Sequence, residues 1–102
     1  MKPEDFLCDY CRRAWDGTFP MVEGHQGSLI CGECLSAAYR ALVLHEGDGV
    51  GPGLRCAMCL EERAQAEWRG SAEPGAIACE RCIRQAAQSL SKDPDWEWTR
   101  PA

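Results

Sequence analysis

The cysteine pattern is the strongest constraint on how this chain can fold. Eight cysteines form four Cys-x-x-Cys turns, here called knuckles, and nineteen residues separate the two knuckles in each half of the chain. A shift of 48 residues brings the first four cysteines onto the last four. This self-similarity predicts a duplicated unit in which each copy carries four thiols. The two sets are Cys8, Cys11, Cys31 and Cys34, and Cys56, Cys59, Cys79 and Cys82.

A glycine-rich stretch separates the two copies. The sequence EGDGVGPG at residues 46–53 places four glycines and a proline within eight positions. This composition is typical of a flexible, non-helical connection. We therefore expect a first finger at 1–47, a linker at 48–53, a second finger at 54–92 and a tail at 93–102.

The number of cysteines indicates metal binding rather than disulfide bonds in a reducing compartment. No apolar run is long enough to cross a membrane, and the segment MKPEDFLCDYC at the start lacks the apolar core of a secretory signal. We therefore expect a cytoplasmic protein without a membrane span, in which thiols stay reduced. Under those conditions, paired cysteines at this spacing are typical of zinc sites.

Each set of four thiols is predicted to hold one structural Zn²⁺ ion, which gives two Zn²⁺ per chain. Two knuckles face to face supply four sulfur donors at the corners of a tetrahedron, the geometry that zinc prefers. Because the protein fills all four positions, no position is left for a catalytic water, and we expect no enzymatic activity. The alternatives are a cross-braced arrangement with interleaved knuckles and eight buried cysteines without metal. Duplication favours the sequential arrangement, since each copy must once have folded alone.

The residues around the second knuckle of each copy predict a helix that follows a β-hairpin. After Cys34 and after Cys82, apolar residues recur at spacings of three and four, as on one face of a helix. The glycine-containing stretch before the helix predicts a loose hairpin that ends in a short strand at Ser28 to Ile30. Knuckle, hairpin and ligand-bearing helix make a treble-clef arrangement. The expected fold class is therefore small α+β, metal-stabilised, with two tandem treble-clef zinc fingers.

The pattern resembles the N-terminal zinc-binding domain of the ClpX protein unfoldase. The stretch LICGECLSAAYRAL at 29–42 carries the resemblance most closely. Its matching residues are Ile30, Cys31, Glu33, Cys34 and Leu35. The resemblance covers most of residues 6–45 and, as a diverged copy, 54–92. It implies a module for dimerisation and for docking substrates or adaptor proteins.

Three features depart from that family. Arg12 and Leu60 stand where the family usually has glycine after the first knuckle. The chain has no GxxxxGK[ST] phosphate loop, so the resemblance implies no ATPase activity here. The family domain is single and works as a dimer, whereas this chain carries two copies.

Two fingers in one chain suggest an intramolecular pseudo-dimer, in which the copies pair about a pseudo-two-fold axis. A homodimer of the whole chain is the other form of self-association. Apolar helix residues would form or flank the seam between the fingers or contact a partner, and these are Leu35, Tyr39, Leu42, Ile83 and Leu90. The alternative is that each of them packs only against its own hairpin.

The tail adds two tryptophans, Trp96 and Trp98, among acidic residues and prolines. Proline disfavours a helix, so we expect an extended segment whose two tryptophans face one side. The tail either docks on a partner, because tryptophan is a common interface anchor, or folds back over its own core.

Binding to a protein partner is the function that these features favour, although the sequence does not identify the partner. Nucleic-acid binding is one alternative, but 11 basic against 16 acidic residues, a net charge of −5, disfavours it. Neutralisation of phosphates by basic side chains dominates the affinity of such proteins. A redox function is the other alternative, through iron bound at the thiolates or through an oxidation switch.

Overall fold

The computed structural model describes residues 6–24, 28–45, 54–62, 67–72 and 75–101, and these form one motif twice. In each half a knuckle precedes a two-stranded antiparallel hairpin, and a helix follows the hairpin. The elements are β1 (Met21–Glu23), β2 (Leu29–Cys31) and α1 (Gly32–Leu42), then β3 (Glu67–Arg69), β4 (Ile77–Cys79) and α2 (Glu80–Ser91). The predicted linker at 48–53 lies outside the described residues.

The two hairpins correspond less simply than the cysteines do. Met21 of β1 lies opposite Cys31, and Glu67 of β3 lies opposite Cys79. The second strands therefore correspond by the shift of 48 residues, whereas the first strands correspond by a shift of 46. The first hairpin therefore has fewer residues in its turn than the second hairpin, and more residues between its knuckle and its first strand.

Both helices begin directly after a strand, with a cysteine as the N-cap residue. Cys31 caps α1 and Cys79 caps α2 with extended backbone, and neither side chain bonds to the helix end. The strand predicted at Ser28 to Ile30 runs one residue later and so reaches this cysteine. The predicted helices are confirmed, and among the described residues no helix has the length and apolar character to cross a bilayer. Their buried apolar positions include Leu35, Ala38, Leu42, Ile83, Ala86, Ala87 and Leu90.

The two halves share one hydrophobic core. The helix α1 packs against α2, and each helix also packs against the first strand of the other half, α1 on β3 and α2 on β1. One buried cluster contains apolar residues of both halves, among them Leu35, Leu42, Ile83 and Leu90. The packing of the helix of the first half on a strand of the second is therefore repeated by the helix of the second half on a strand of the first.

Residues inside the first knuckle of each half make close contacts with the other half. Tyr10 is fully buried, and its hydroxyl donates a hydrogen bond of 3.1 Å to the carbonyl oxygen of Ile77. Its backbone lies against Gly70, where an added Cβ would overlap Tyr10 atoms. Met58 holds the equivalent position in the second half and lies against Gly24, 3.1 Å from where a Cβ would stand.

The tail crosses from the second half to the first. The indole N–H of Trp98 lies 3.0 Å from the hydroxyl oxygen of Ser36 and 3.3 Å from the carbonyl oxygen of Gly32, at the start of α1. Trp96 and Trp98 both pack, partly buried, against the shared core. The tail therefore folds back over its own chain, and its docking on a partner stays a prediction.

Removal of the Tyr10 hydroxyl should weaken the contact between the halves without abolishing it. Tyr10→Phe keeps the buried ring, and the Ile77 carbonyl still accepts a hydrogen bond of 2.8 Å from the Ala57 N–H. We expect Tyr10→Phe to lower the free energy of unfolding by about 1 kcal/mol. Tyr10→Ala leaves a cavity and should lower it by about 3–5 kcal/mol. Urea denaturation at a fixed free zinc concentration measures both, and equal losses would contradict burial of the ring.

Candidate metal centres

The eight cysteines come together as two groups of four. Within each group the sulfur atoms all lie within 4.8 Å of one another. All eight are free thiols, so no disulfide competes for them. The sulfur atoms follow the sequential arrangement rather than the cross-braced one, as Cys8, Cys11, Cys31 and Cys34, and Cys56, Cys59, Cys79 and Cys82.

The spacing of the sulfur atoms fits one tetrahedral ion in each group. The Sγ atoms of Cys8 and Cys34 are 3.8 Å apart, and those of Cys59 and Cys79 are 3.9 Å apart. Four sulfurs bound to zinc at about 2.3 Å lie about 3.8 Å from one another in a regular tetrahedron. The donor set and its spacing therefore suit Zn²⁺, and each group could hold one ion.

Backbone N–H groups hold the first cysteine of each group in place. The Sγ atom of Cys8 accepts hydrogen bonds of 3.4 Å from the N–H groups of Tyr10 and Cys31. The Sγ atom of Cys56 accepts the two equivalent bonds in the second half, also at 3.4 Å. Such bonds favour the thiolate form and orient the sulfur towards the centre of the group.

The second knuckle of each half supplies two ligands from the start of a helix. Cys31 is the N-cap residue of α1, and Cys34 lies in its first turn; the second half repeats this placement. The start of a helix carries a partial positive charge, which stabilises thiolates there. Three of the four cysteines in each group are buried, and only Cys11 and Cys59 are partly exposed. Each group is therefore closed on most sides by protein.

Hydrogen bonds between thiols separate the pKa values within each group. Bonds from the side chains of Cys31 and Cys34 hold the pKa of Cys8 far below its usual range. Bonds with the side chains of Cys31 and Cys8, together with burial, raise the pKa of Cys34. In the second half the pKa of Cys56 is lowered and that of Cys82 is raised for the same reasons. Each group therefore keeps protons that an incoming cation must displace.

The residue after the first knuckle of each half adopts the left-handed backbone conformation. Arg12 has φ of 65° and Leu60 has φ of 61°. Their N–H groups close the knuckles through bonds of 2.8 Å to the carbonyl oxygens of Cys8 and Cys56. Glycine is favoured in this conformation because it has no Cβ. The preference explains why the family that the motif resembles usually has glycine at this position. The backbone of Arg12 and of Leu60 is therefore strained.

The seven residues predicted to form the seam or to bind a partner all contact the shared core. The leucine and isoleucine side chains among them are buried in it, and the three aromatic ones are partly buried against it. The contacts that they make lie within the chain, and their binding to another protein stays a prediction. The seven are Leu35, Tyr39, Leu42, Ile83, Leu90, Trp96 and Trp98.

Four residues that join the two halves were not predicted from the sequence. Tyr10 and Met58 were open to prediction, because a large apolar residue between two ligand cysteines has to pack somewhere. Gly24 and Gly70 were hidden, because they correspond by the shift of 46 residues and not by that of 48.

Comparisons with protein-family models, with curated proteins and with solved structures found no match to this chain. The resemblance to the ClpX zinc-binding domain therefore rests on the motif at 29–42 and on its copy. What the geometry itself supports is a small α+β protein with two four-cysteine groups, each able to hold a metal ion.

Replacement of Leu60 by glycine should stabilise the protein relative to replacement by alanine. The Leu60 side chain is 49% exposed, so its loss costs little packing, and both substitutions remove it. Only glycine relieves the left-handed backbone, and we expect Leu60→Gly to exceed Leu60→Ala by about 1 kcal/mol in free energy of unfolding. Arg12→Gly and Arg12→Ala give a second matched pair. Glycine variants no more stable than the alanine variants would contradict the strain.

The affinity for zinc should increase with pH. Thiols with raised pKa values, such as Cys34 and Cys82, hold protons that are released when the ion binds. Each released proton raises the affinity by about tenfold per pH unit while the thiol is protonated. Competition with a chromophoric chelator between about pH 6 and pH 8, corrected for the chelator's own protonation, measures this dependence. A flat profile would show that the free thiols are already ionised.

Proposed function

We propose that this protein is a protein-interaction module built on two structural zinc ions, with no catalytic activity. The observation that carries the proposal is the pair of closed groups of four sulfur atoms, each within 4.8 Å. Where the protein supplies all four ligands, no coordination position remains for water or substrate. Zinc at such a site contributes to folding instead, by about 10–16 kcal/mol in small zinc fingers.

Each half in this proposal is a treble-clef finger, and the two halves form an intramolecular pseudo-dimer. The order of knuckle, hairpin and helix supports the first statement. The reciprocal packing of α1 on β3 and of α2 on β1 supports the second. In the family that the motif resembles, single fingers work as dimers, so a tandem chain would carry both partners of such a dimer.

The charge of the chain favours a protein as the partner. The net charge is −5, and a zinc ion bound by four thiolates adds negative charge. Nucleic acid would require a patch of basic side chains. Arg84 on the exposed side of α2 is paired with Glu80 at 2.8 Å, which reduces the basic character of that helix. The cytoplasm is the compartment that this proposal assigns, because thiols stay reduced there.

The purified protein should be colourless and contain two zinc ions per chain by elemental analysis. Removal of zinc with a chelator should unfold both halves together, because they share one core, and the helical circular dichroism should be lost. Cobalt(II) in place of zinc should give the visible absorption bands of a tetrahedral four-thiolate site. One metal ion per chain, or the red colour of a bound iron centre, would contradict the proposal.

The same preparation separates a protein-binding from a nucleic-acid-binding function. Labelled duplex and single-stranded oligonucleotides should show no change in fluorescence anisotropy at physiological salt, while a lower salt concentration controls for weak ionic contacts. Salt-resistant binding of either oligonucleotide would replace the proposed function by nucleic-acid recognition.

A further inference from the structure

The reciprocal packing of the two halves creates two equivalent seams, each between a helix of one half and the first strand of the other. The first seam lies between α1 and β3, and the second lies between α2 and β1. Tyr10 in the first seam corresponds to Met58 in the second, since both follow the first cysteine of a knuckle by two positions. Trp68 corresponds to Val22, since both are the central residues of their strands.

Aromatic side chains fill the first seam. The rings of Tyr10 and Trp68 are 5.5 Å apart between centroids and tilted by 38°. Tyr10 is fully buried, and its hydroxyl donates to the carbonyl oxygen of Ile77. Two aromatic rings are thus packed beside the first strand in this seam.

The second seam has no aromatic ring at these two positions. A groove of about 360 Å³ lies there between β1 and α2. This volume lies within the range of about 300–1,000 Å³ that is usual for ligand sites. Val22, Gly24, Met58 and Ala86 form its apolar part, and Gln85 and Ser89 of α2 lie along one side.

The charge of the groove differs from that of the filled seam. Glu23 is the one acidic or basic side chain among the described residues that line the groove, and Cys82, which also lines it, belongs to a group of thiolates that adds negative charge when zinc is bound. The filled seam has Arg69 at the position that corresponds to Glu23. A ligand that carries a positive charge would therefore bind in the groove more tightly than a neutral or acidic one.

We propose that the groove between β1 and α2 binds an extended peptide, which inserts an aromatic side chain beside Val22 and Met58 and places a lysine or arginine near Glu23. The proposal deepens the protein-interaction function above and rests on it. The groove borders the strand β1, so that such a peptide would run along the edge of the first hairpin.

The chain's own tryptophan tail does not meet this description. Trp98 lies on α1 of the first half, where its indole N–H contacts Ser36. The neighbouring residues Asp93, Asp95 and Glu97 are acidic and would repel Glu23. The occupant is therefore a separate peptide of opposite charge.

Fluorescence anisotropy with the zinc-loaded full chain tests the proposal with three short labelled peptides. The first has a central tryptophan between arginine and lysine, the second has alanine in place of that tryptophan, and the third has glutamates in place of the basic residues. We expect the first peptide to bind, and the alanine peptide to bind at least about tenfold more weakly. The acidic peptide should also bind more weakly than the first. Equal affinity of the tryptophan and alanine peptides would overturn the proposal.

Variants of the protein locate the binding site. Ser89→Trp places a ring in the groove and should abolish binding, whereas Arg81→Trp, exposed on the same helix and outside the groove, should leave it unchanged. Glu23→Gln should weaken binding of the basic peptide by about two- to fivefold. The control Glu33→Gln removes an exposed carboxylate outside the groove and should leave binding unchanged. Full binding by Ser89→Trp would overturn the proposal, and the Glu23 pair decides the matter if Ser89→Trp loses zinc.

Two further results separate this proposal from the function on which it rests. A protein that holds two zinc ions and ignores oligonucleotides but binds none of the peptides would refute the groove and leave the proposed function standing. A protein without zinc would refute the proposed function. Sedimentation without peptide measures whether the chain forms a homodimer. If it does, and if Ser89→Trp dissociates that homodimer, the groove binds a second copy of the chain and the peptide proposal is overturned.

Discussion

The convergence of four sulfur atoms in each half determines how all the surrounding segments are arranged. The ligands come from a knuckle, from the end of a hairpin and from the first turn of a helix, so one ion would connect three short segments. The strands have 3 residues each and the helices have 11 and 12. Elements of this length are marginal in water by themselves, because a short helix or a single hairpin gains too little to offset its loss of conformational freedom.

The contribution that a bound ion would make is large enough to offset backbone strain in the turns after the knuckles. Left-handed backbone at Arg12 and Leu60 costs about 1–2 kcal/mol for each residue. A structural zinc ion contributes about 10–16 kcal/mol in small fingers, several times more. Non-glycine residues can therefore occupy the turn after a knuckle without preventing it from forming, since a bound ion would impose the geometry of the turn.

The shared core is the second condition for a fold of this size. Each helix covers its apolar face against the other helix and against a strand of the other half, which neither half could do alone. Once two copies are joined in one chain, equivalent positions are free to diverge, and the two seams have done so. The rings of Tyr10 and Trp68 are packed together in one seam, whereas Met58 and Val22 line a groove in the other. The backbone packing is thus repeated in the two seams, whereas the side chains that line them differ.

The sequence by itself determined the features that depend on neighbours along the chain. The four knuckles, their grouping by halves, the helix after each second knuckle and its apolar face all follow from spacing, because ligand geometry and helical period act over a few residues. Only the tertiary structure decided the features that depend on residues far apart. These are the burial of Tyr10 against Gly70, the placement of Trp98 on α1 and the offset of 46 residues between the first strands. The first two arise from packing between the halves and the third from hairpins of different length, and a one-dimensional pattern of cysteines records neither.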